Sequence, residues 1–176
     1  MTDAGRASLA ILAAWSTAAL ALRAADALAS QLAGVPRGVR VCASLDEAEA
    51  RTGLELGPLR RALGEGAFAA EQILRVRTPA VAVTLRPTRD DAAVFTFFRS
   101  AGPVPALLRP PLPAFHALEI SLAADKTAAL RAATLADGSV VQDLEWSEDT
   151  GQAALRTRGR TVDLLRLARR MIEGAR

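Results

Sequence analysis

Between Val140 and Ser147 apolar and polar positions alternate. Val140, Gln142, Leu144 and Trp146 fall on one side and Val141, Asp143, Glu145 and Ser147 on the other, the period-two signature of a half-buried strand. Glu148-Asp149-Thr150-Gly151 supplies turn chemistry, since glycine accepts positive φ without strain. Residues 152–158 read as the return strand, with a weaker apolar face. From Thr161 to Glu173 the period lengthens to that of a helix. Val162, Leu165, Ala168 and Ile172 share a face, widened by Leu164, Leu167 and Met171. The Thr161 hydroxyl can cap this helix, Gly174 can stop it, and Arg166, Arg169 and Arg170 lie outside the apolar face.

Upstream the pattern predicts further strands near residues 69–77, 80–86, 92–100, 114–123 and 126–136, with a short edge strand over 39–43. Val81, Val83 and Leu85 alternate cleanly. Val94, Thr96 and Phe98 oppose Phe95, Phe97 and Arg99, so that strand is expected to be covered on both faces. Ser44-Leu45-Asp46-Glu47 is a capping box that opens a short helix ending at Gly53. Acids in that first turn suit the helix dipole and need no metal. Residues 54–66 read as irregular, broken at Gly57-Pro58 and Gly64-Glu65-Gly66. Residues 102–113 hold five of the nine prolines, Pro103, Pro105, Pro110, Pro111 and Pro113. They exclude helix and central strand and predict a surface loop of polyproline character that exposes Leu107 and Leu108 for docking.

The sum is an α+β chain: an N-terminal transmembrane helix over 1–33, then one domain over 34–176. In that domain a curved antiparallel sheet of five to seven strands is covered by helices at 44–52 and 161–173. The helix at the start rests on residues 7–22, which carry no charge between Arg6 and Arg23. Leu9, Ile11, Leu12, Trp15, Leu20 and Leu22 are the anchor residues. Sixteen helical residues span about 24 Å, short of the roughly 30 Å hydrocarbon core, and Arg23 can snorkel to lengthen the reach. Three readings stay open: an uncleaved signal anchor; a signal peptide cleaved after Ala27-Leu28-Ala29; an Ala-rich helix packed on the domain. With Arg23, Arg37 and Arg40 after the span and Arg6 alone before it, the positive-inside count places the domain in the cytoplasm.

Composition narrows the chemistry. The 176 residues suffice for one real core. Net charge is only +3, and the arginines of 156–170 are not interleaved with aromatics, which argues against nucleic acid. Cys42 is the single cysteine, so no intramolecular disulfide forms, and it reads as a small apolar filler. His116 is the single histidine and lacks a partner for metal or triad chemistry. Asp143, Glu145, Glu148 and Asp149 read as solvated hairpin acids. No cofactor or metal is expected, and no catalysis.

Ser44-Leu45-Asp46-Glu47-Ala48, followed by Gly53-Leu54-Glu55-Leu56-Gly57-Pro58, resembles the start of an extracytoplasmic domain attached to bacterial anti-sigma factors, found also in stand-alone membrane-anchored proteins. Leu144-Glu145-Trp146, the acidic-Gly turn 148–151 and Leu164-Leu165-Arg166-Leu167-Ala168 occupy the places of that family's closing strand, turn and helix. The family's aromatic in the return strand is replaced here by Ala153-Ala154-Leu155. The resemblance implies a domain on the periplasmic side. The resulting expectation is a non-catalytic, single-pass membrane-anchored accessory subunit of a larger bacterial membrane complex, photosynthetic or respiratory for example. Its partners would be membrane protein subunits and, through the first helix, the lipid bilayer. Leu107, Leu108 and Pro110 of the loop and Arg166, Arg169 and Arg170 of the last helix are the candidate contacts. The alternative is an exported lipid- or ligand-binding carrier or sensor, which a roomy apolar pocket would favour. The remaining reading is a hydrolase using His116 with a carboxylate.

Overall fold

The structure, a computed structural model, describes Pro36 and residues 38–64, 66–88, 93–112 and 117–173. The anchor residues Leu9, Ile11, Leu12, Trp15, Leu20 and Leu22, with Pro113, His116 and Gly174, lie outside the described residues. Among those described, no helix is long and apolar enough to cross a membrane.

Eight strands form one open antiparallel sheet: β1 (Val39–Cys42), β2 (Phe68–Val76), β3 (Ala80–Pro87), β4 (Phe95–Ser100), β5 (Ala117–Ala123), β6 (Lys126–Thr134), β7 (Val140–Glu148) and β8 (Gly151–Thr157). Their order is β1-β2-β3-β4-β8-β7-β6-β5. The sheet is therefore two four-stranded meanders joined where β4 pairs with β8. The expectation of five to seven strands is low. The short β1 pairs with β2 along its whole length, from Val39 opposite Val76 to Cys42 opposite Ile73, so every predicted strand enters one sheet.

Three helices accompany it: α1 (Leu45–Thr52), α2 (Gly57–Gly64) and α3 (Thr161–Glu173). Ser44 caps α1 by accepting from the Glu47 N–H at 3.1 Å. The reciprocal Glu47 carboxylate accepts from the Ala43 N–H at 2.8 Å. Gly53 closes the helix at φ 70 and donates to the Glu49 carbonyl, a left-handed cap that a side chain would strain.

The irregular stretch read between Gly57 and Gly64 is a helix. Pro58 stands in its first turn, where a missing N–H costs nothing, and its Leu59 and Ala62 are buried. Glu49 joins the two helices, accepting from the Leu56 N–H at 2.7 Å and from Arg60 at 2.7 Å. Arg60 also bonds Asp46 at 2.5 Å. The hydrogen bond from Arg60 holds the Glu49 carboxyl below the usual carboxylate range. Asp46 thus serves α2 as well as the dipole of its own helix, and Glu49, beyond the first turn, serves α2.

The main core lies between the helices and one sheet face. Val81, Val83, Leu85, Phe95, Phe97, Leu144, Trp146 and Leu155 meet Leu56, Leu59, Leu164, Leu167, Ala168, Met171 and Ile172 there. The buried face of α3 is rotated from the expected one. Leu164, Leu167, Ala168, Met171 and Ile172 are buried, Leu165 is half-buried, and Val162, in the first turn, is 62 % exposed. Cys42 is a free, buried member of this core, as its filler role requires, and burial pushes its thiol pKa up.

Gly151 opens β8 at φ 142, against the Ser100 carbonyl, and any Cβ would run into that oxygen. The turn between β7 and β8 therefore has room for glycine alone at this position.

Candidate functional site

The sheet face turned away from the three described helices, the helix-free face, is not bare. Register places Ala82, Phe98 and Ala154 side by side across β3, β4 and β8. It places Val141 opposite Ala133 on β7 and β6. All five are buried, yet none belongs to the helix-side core. The proline-rich segment after β4 reaches over this face. Here the structure corrects the reading of that segment as a pair of exposed leucines. Leu107 is 54 % exposed, but Leu108 is 8 % exposed. The Leu108 and Arg109 N–H groups both donate to the Pro105 carbonyl, at 2.9 and 3.0 Å, closing a compact turn. That turn sends Leu107 outward and Arg109 inward.

Arg109 fixes the segment. Its Nε donates to both Asp143 carboxylate oxygens, at 3.2 and 3.0 Å, and its Nη1 donates to Glu145 Oε2 at 2.6 Å. Arg156 Nη2 donates to Asp143 Oδ2 at 2.8 Å and to the Pro110 carbonyl at 2.8 Å, and its guanidinium lies over the Phe98 ring. Arg131 reaches Glu145 at 3.3 Å. The Arg109 and Asp143 side chains are 8 % and 3 % exposed. Asp143 and Glu145 are therefore not solvated hairpin acids; they are the socket of a buried latch. Pro110, expected to contact a partner, gives its carbonyl to Arg156.

A second ionic group ties the β7–β8 hairpin to β4. Arg99 Nη1 lies 2.6 Å from Glu148 Oε2 and its Nη2 donates to Thr150 at 2.8 Å. Glu148 also accepts from the Trp146 indole N–H at 2.9 Å.

Beside the latch lies an open groove of about 670 Å³, within the range of small-molecule sites. Its walls include Val94, Pro110, Pro111, Leu112, Leu135 and Val141, with Arg156 and Arg158 in the lining. A polar chamber of about 320 Å³ adjoins it and shares Pro111, Leu112 and Arg156; Arg109, Arg131 and Asp143 line that chamber. At the rim Arg158 pairs with Asp137 at 3.6 Å. Hydrogen bonds from Ser139 hold the Asp137 carboxyl below its ordinary value.

The arginines of α3 stand apart from this site. Arg169 and Arg170 are exposed, and Arg166 pairs with Asp163 at 3.6 Å. The structure thus brings Leu107, Leu108 and Pro110 together with Arg109, Asp143, Glu145 and Arg156, which sequence reasoning left out. One signal could have found them: a lone arginine inside an apolar proline-rich segment needs carboxylates, and Asp143 and Glu145 share one side of a strand. Among the described residues no group of three or more His, Cys, Asp or Glu could hold a metal ion. No family model, no curated protein and no solved structure matches this chain.

Proposed function

We propose that this chain is a non-catalytic, single-pass membrane-anchored protein, an accessory subunit of a larger bacterial membrane complex, with its domain on the periplasmic side. The observation that carries this reading is the preformed loop on the helix-free face. Leu107 stands outward while Leu108 and Arg109 hold its base. A loop ordered before binding forfeits little entropy when a partner docks, and an apolar side chain at its crest is what a protein partner can bury. The uncharged stretch 7–22 supports the anchor, and the resemblance supports the periplasmic side.

The test is Leu107→Asp in the full-length chain within native membranes. Stability should change by no more than about 0.5 kcal/mol, because the side chain is exposed. On a native gel the variant should run free of the assembly that holds the wild type. Unchanged co-migration of a folded variant would remove Leu107 from the docking surface.

The groove beside the loop favours a second reading, the ligand-binding carrier or sensor. It is open, largely apolar, and separate from the filled core under the helices.

A further inference from the structure

We infer that the groove and its polar chamber form one site for a single-chain amphiphile with a monoanionic head, a fatty-acid-like carboxylate. The inference rests on the second reading above and names the ligand class for it.

Three observations converge. The first is shape: an apolar groove and a polar chamber meet at Pro111, Leu112 and Arg156, so one molecule can place a chain in the first and a head in the second.

The second is charge. Arg109, Arg131 and Arg156 face Asp143 and Glu145. Three cations against two anions leave one positive charge at the chamber. Arg109 and Arg156 are paired with Asp143, so the spare charge falls on the partly exposed Arg131, where an anionic head can pair with it. One carboxylate matches it; a neutral alcohol does not.

The third is a spare donor. The Arg156 Nε–H is closed off from solvent and makes no hydrogen bond, while Nη2 of the same guanidinium bonds Asp143 and Pro110, so a head group meets this donor only once the guanidinium turns toward it. Arginine presents its donors in a planar fork that suits a carboxylate. Arg131 is 42 % exposed and holds Glu145 through one nitrogen at 3.3 Å, so it can turn toward an incoming head.

The experiment uses the full-length chain in phosphatidylcholine nanodiscs with a diazirine-bearing palmitate, followed by peptide mapping of the photo-adducts. Adducts should appear in the peptides carrying residues 93–96, 110–112 and 135–141. Val94 is 41 % exposed and lines the groove, so Val94→Trp fills the site without touching the latch. It should cut those adducts at least about tenfold, while labelling of residues 1–33, which reports probe dissolved in the lipid, stays constant. The matching diazirine hexadecanol should label the groove at least about fivefold less than the acid, and Arg156→Gln should erase that preference.

Equal labelling by acid and alcohol would overturn the anionic head and leave the ligand-binding reading standing. Labelling that ignores Val94→Trp, or spares the groove altogether, would overturn both. Stronger groove labelling by a diazirine phosphatidylglycerol than by the acid would assign the site to a membrane lipid and overturn the single-chain assignment.

Discussion

Asp143→Ala is expected to lower the unfolding free energy by about 3–5 kcal/mol, the cost of breaking a buried ion pair from one side. Asp143 is 2 % exposed and is the acceptor that Arg109 and Arg156 share. Removing it leaves two guanidiniums without their common partner. Arg109, at 8 % side-chain exposure, keeps only Glu145. The loop then loses its fastening, and water reaches Phe98, Ala154 and Val141. Urea denaturation of wild type and variant measures the effect. The companion Asp143→Leu with Arg109→Met should recover much of the loss, because an apolar pair of similar size leaves less buried charge unmatched. A loss below about 1 kcal/mol for Asp143→Ala would mean that solvent screens the pair and the latch holds nothing.

Trp146→Ala should cost a similar amount, about 3–5 kcal/mol, for a different reason. Trp146 is 2 % exposed and belongs to the core cluster that includes Ile172 and Met171. Its truncation opens a cavity in a close-packed layer and strips Glu148 of the indole donor. Glu148 is also the partner of Arg99, so the effect should extend to the β7–β8 turn. Trp146→Phe keeps part of the ring volume while losing the hydrogen bond, and should cost less, about 1–2 kcal/mol. If Trp146→Ala loses less than about 1 kcal/mol, the residue is not a core element.

The closing unit was legible because its periods are unambiguous. The alternation of 140–147 and the helical stripe of 161–173 each appear at their expected positions, as does the capping box at Ser44. The stripe gave the helix but not its rotation: Leu164 and Leu167, read as flanking, lie deeper than Val162. The short α2 was hidden because eight residues give little periodicity, and Gly57-Pro58 reads as a break unless it is recognised as a first turn.

The larger difference lies on β7. Its alternation predicts one side as core and the other as solvent, whereas Val141 and Asp143 on the second side are 5 % and 2 % exposed. Alternation marks which residues share a face; it does not state what covers each face. The cover here is a segment without periodicity, attached through an ion pair 34 residues apart in sequence. Its proline content argued rightly against helix and strand, but that content alone does not reveal a seat on the sheet.

Amide hydrogen exchange across residues 105–112 of the full-length chain tests the loop's fixed seat most directly. The Leu108 and Arg109 N–H groups bond the Pro105 carbonyl within a turn clamped by Arg109. Both amides should exchange at least about tenfold slower than an open chain, equivalent to about 1.4 kcal/mol of local opening free energy. Arg109→Met should abolish that protection while the amides of β7 and β8 keep theirs. Exchange of the wild-type Leu108 and Arg109 amides at open-chain rates would contradict a loop held on the sheet, and with it the preformed docking surface.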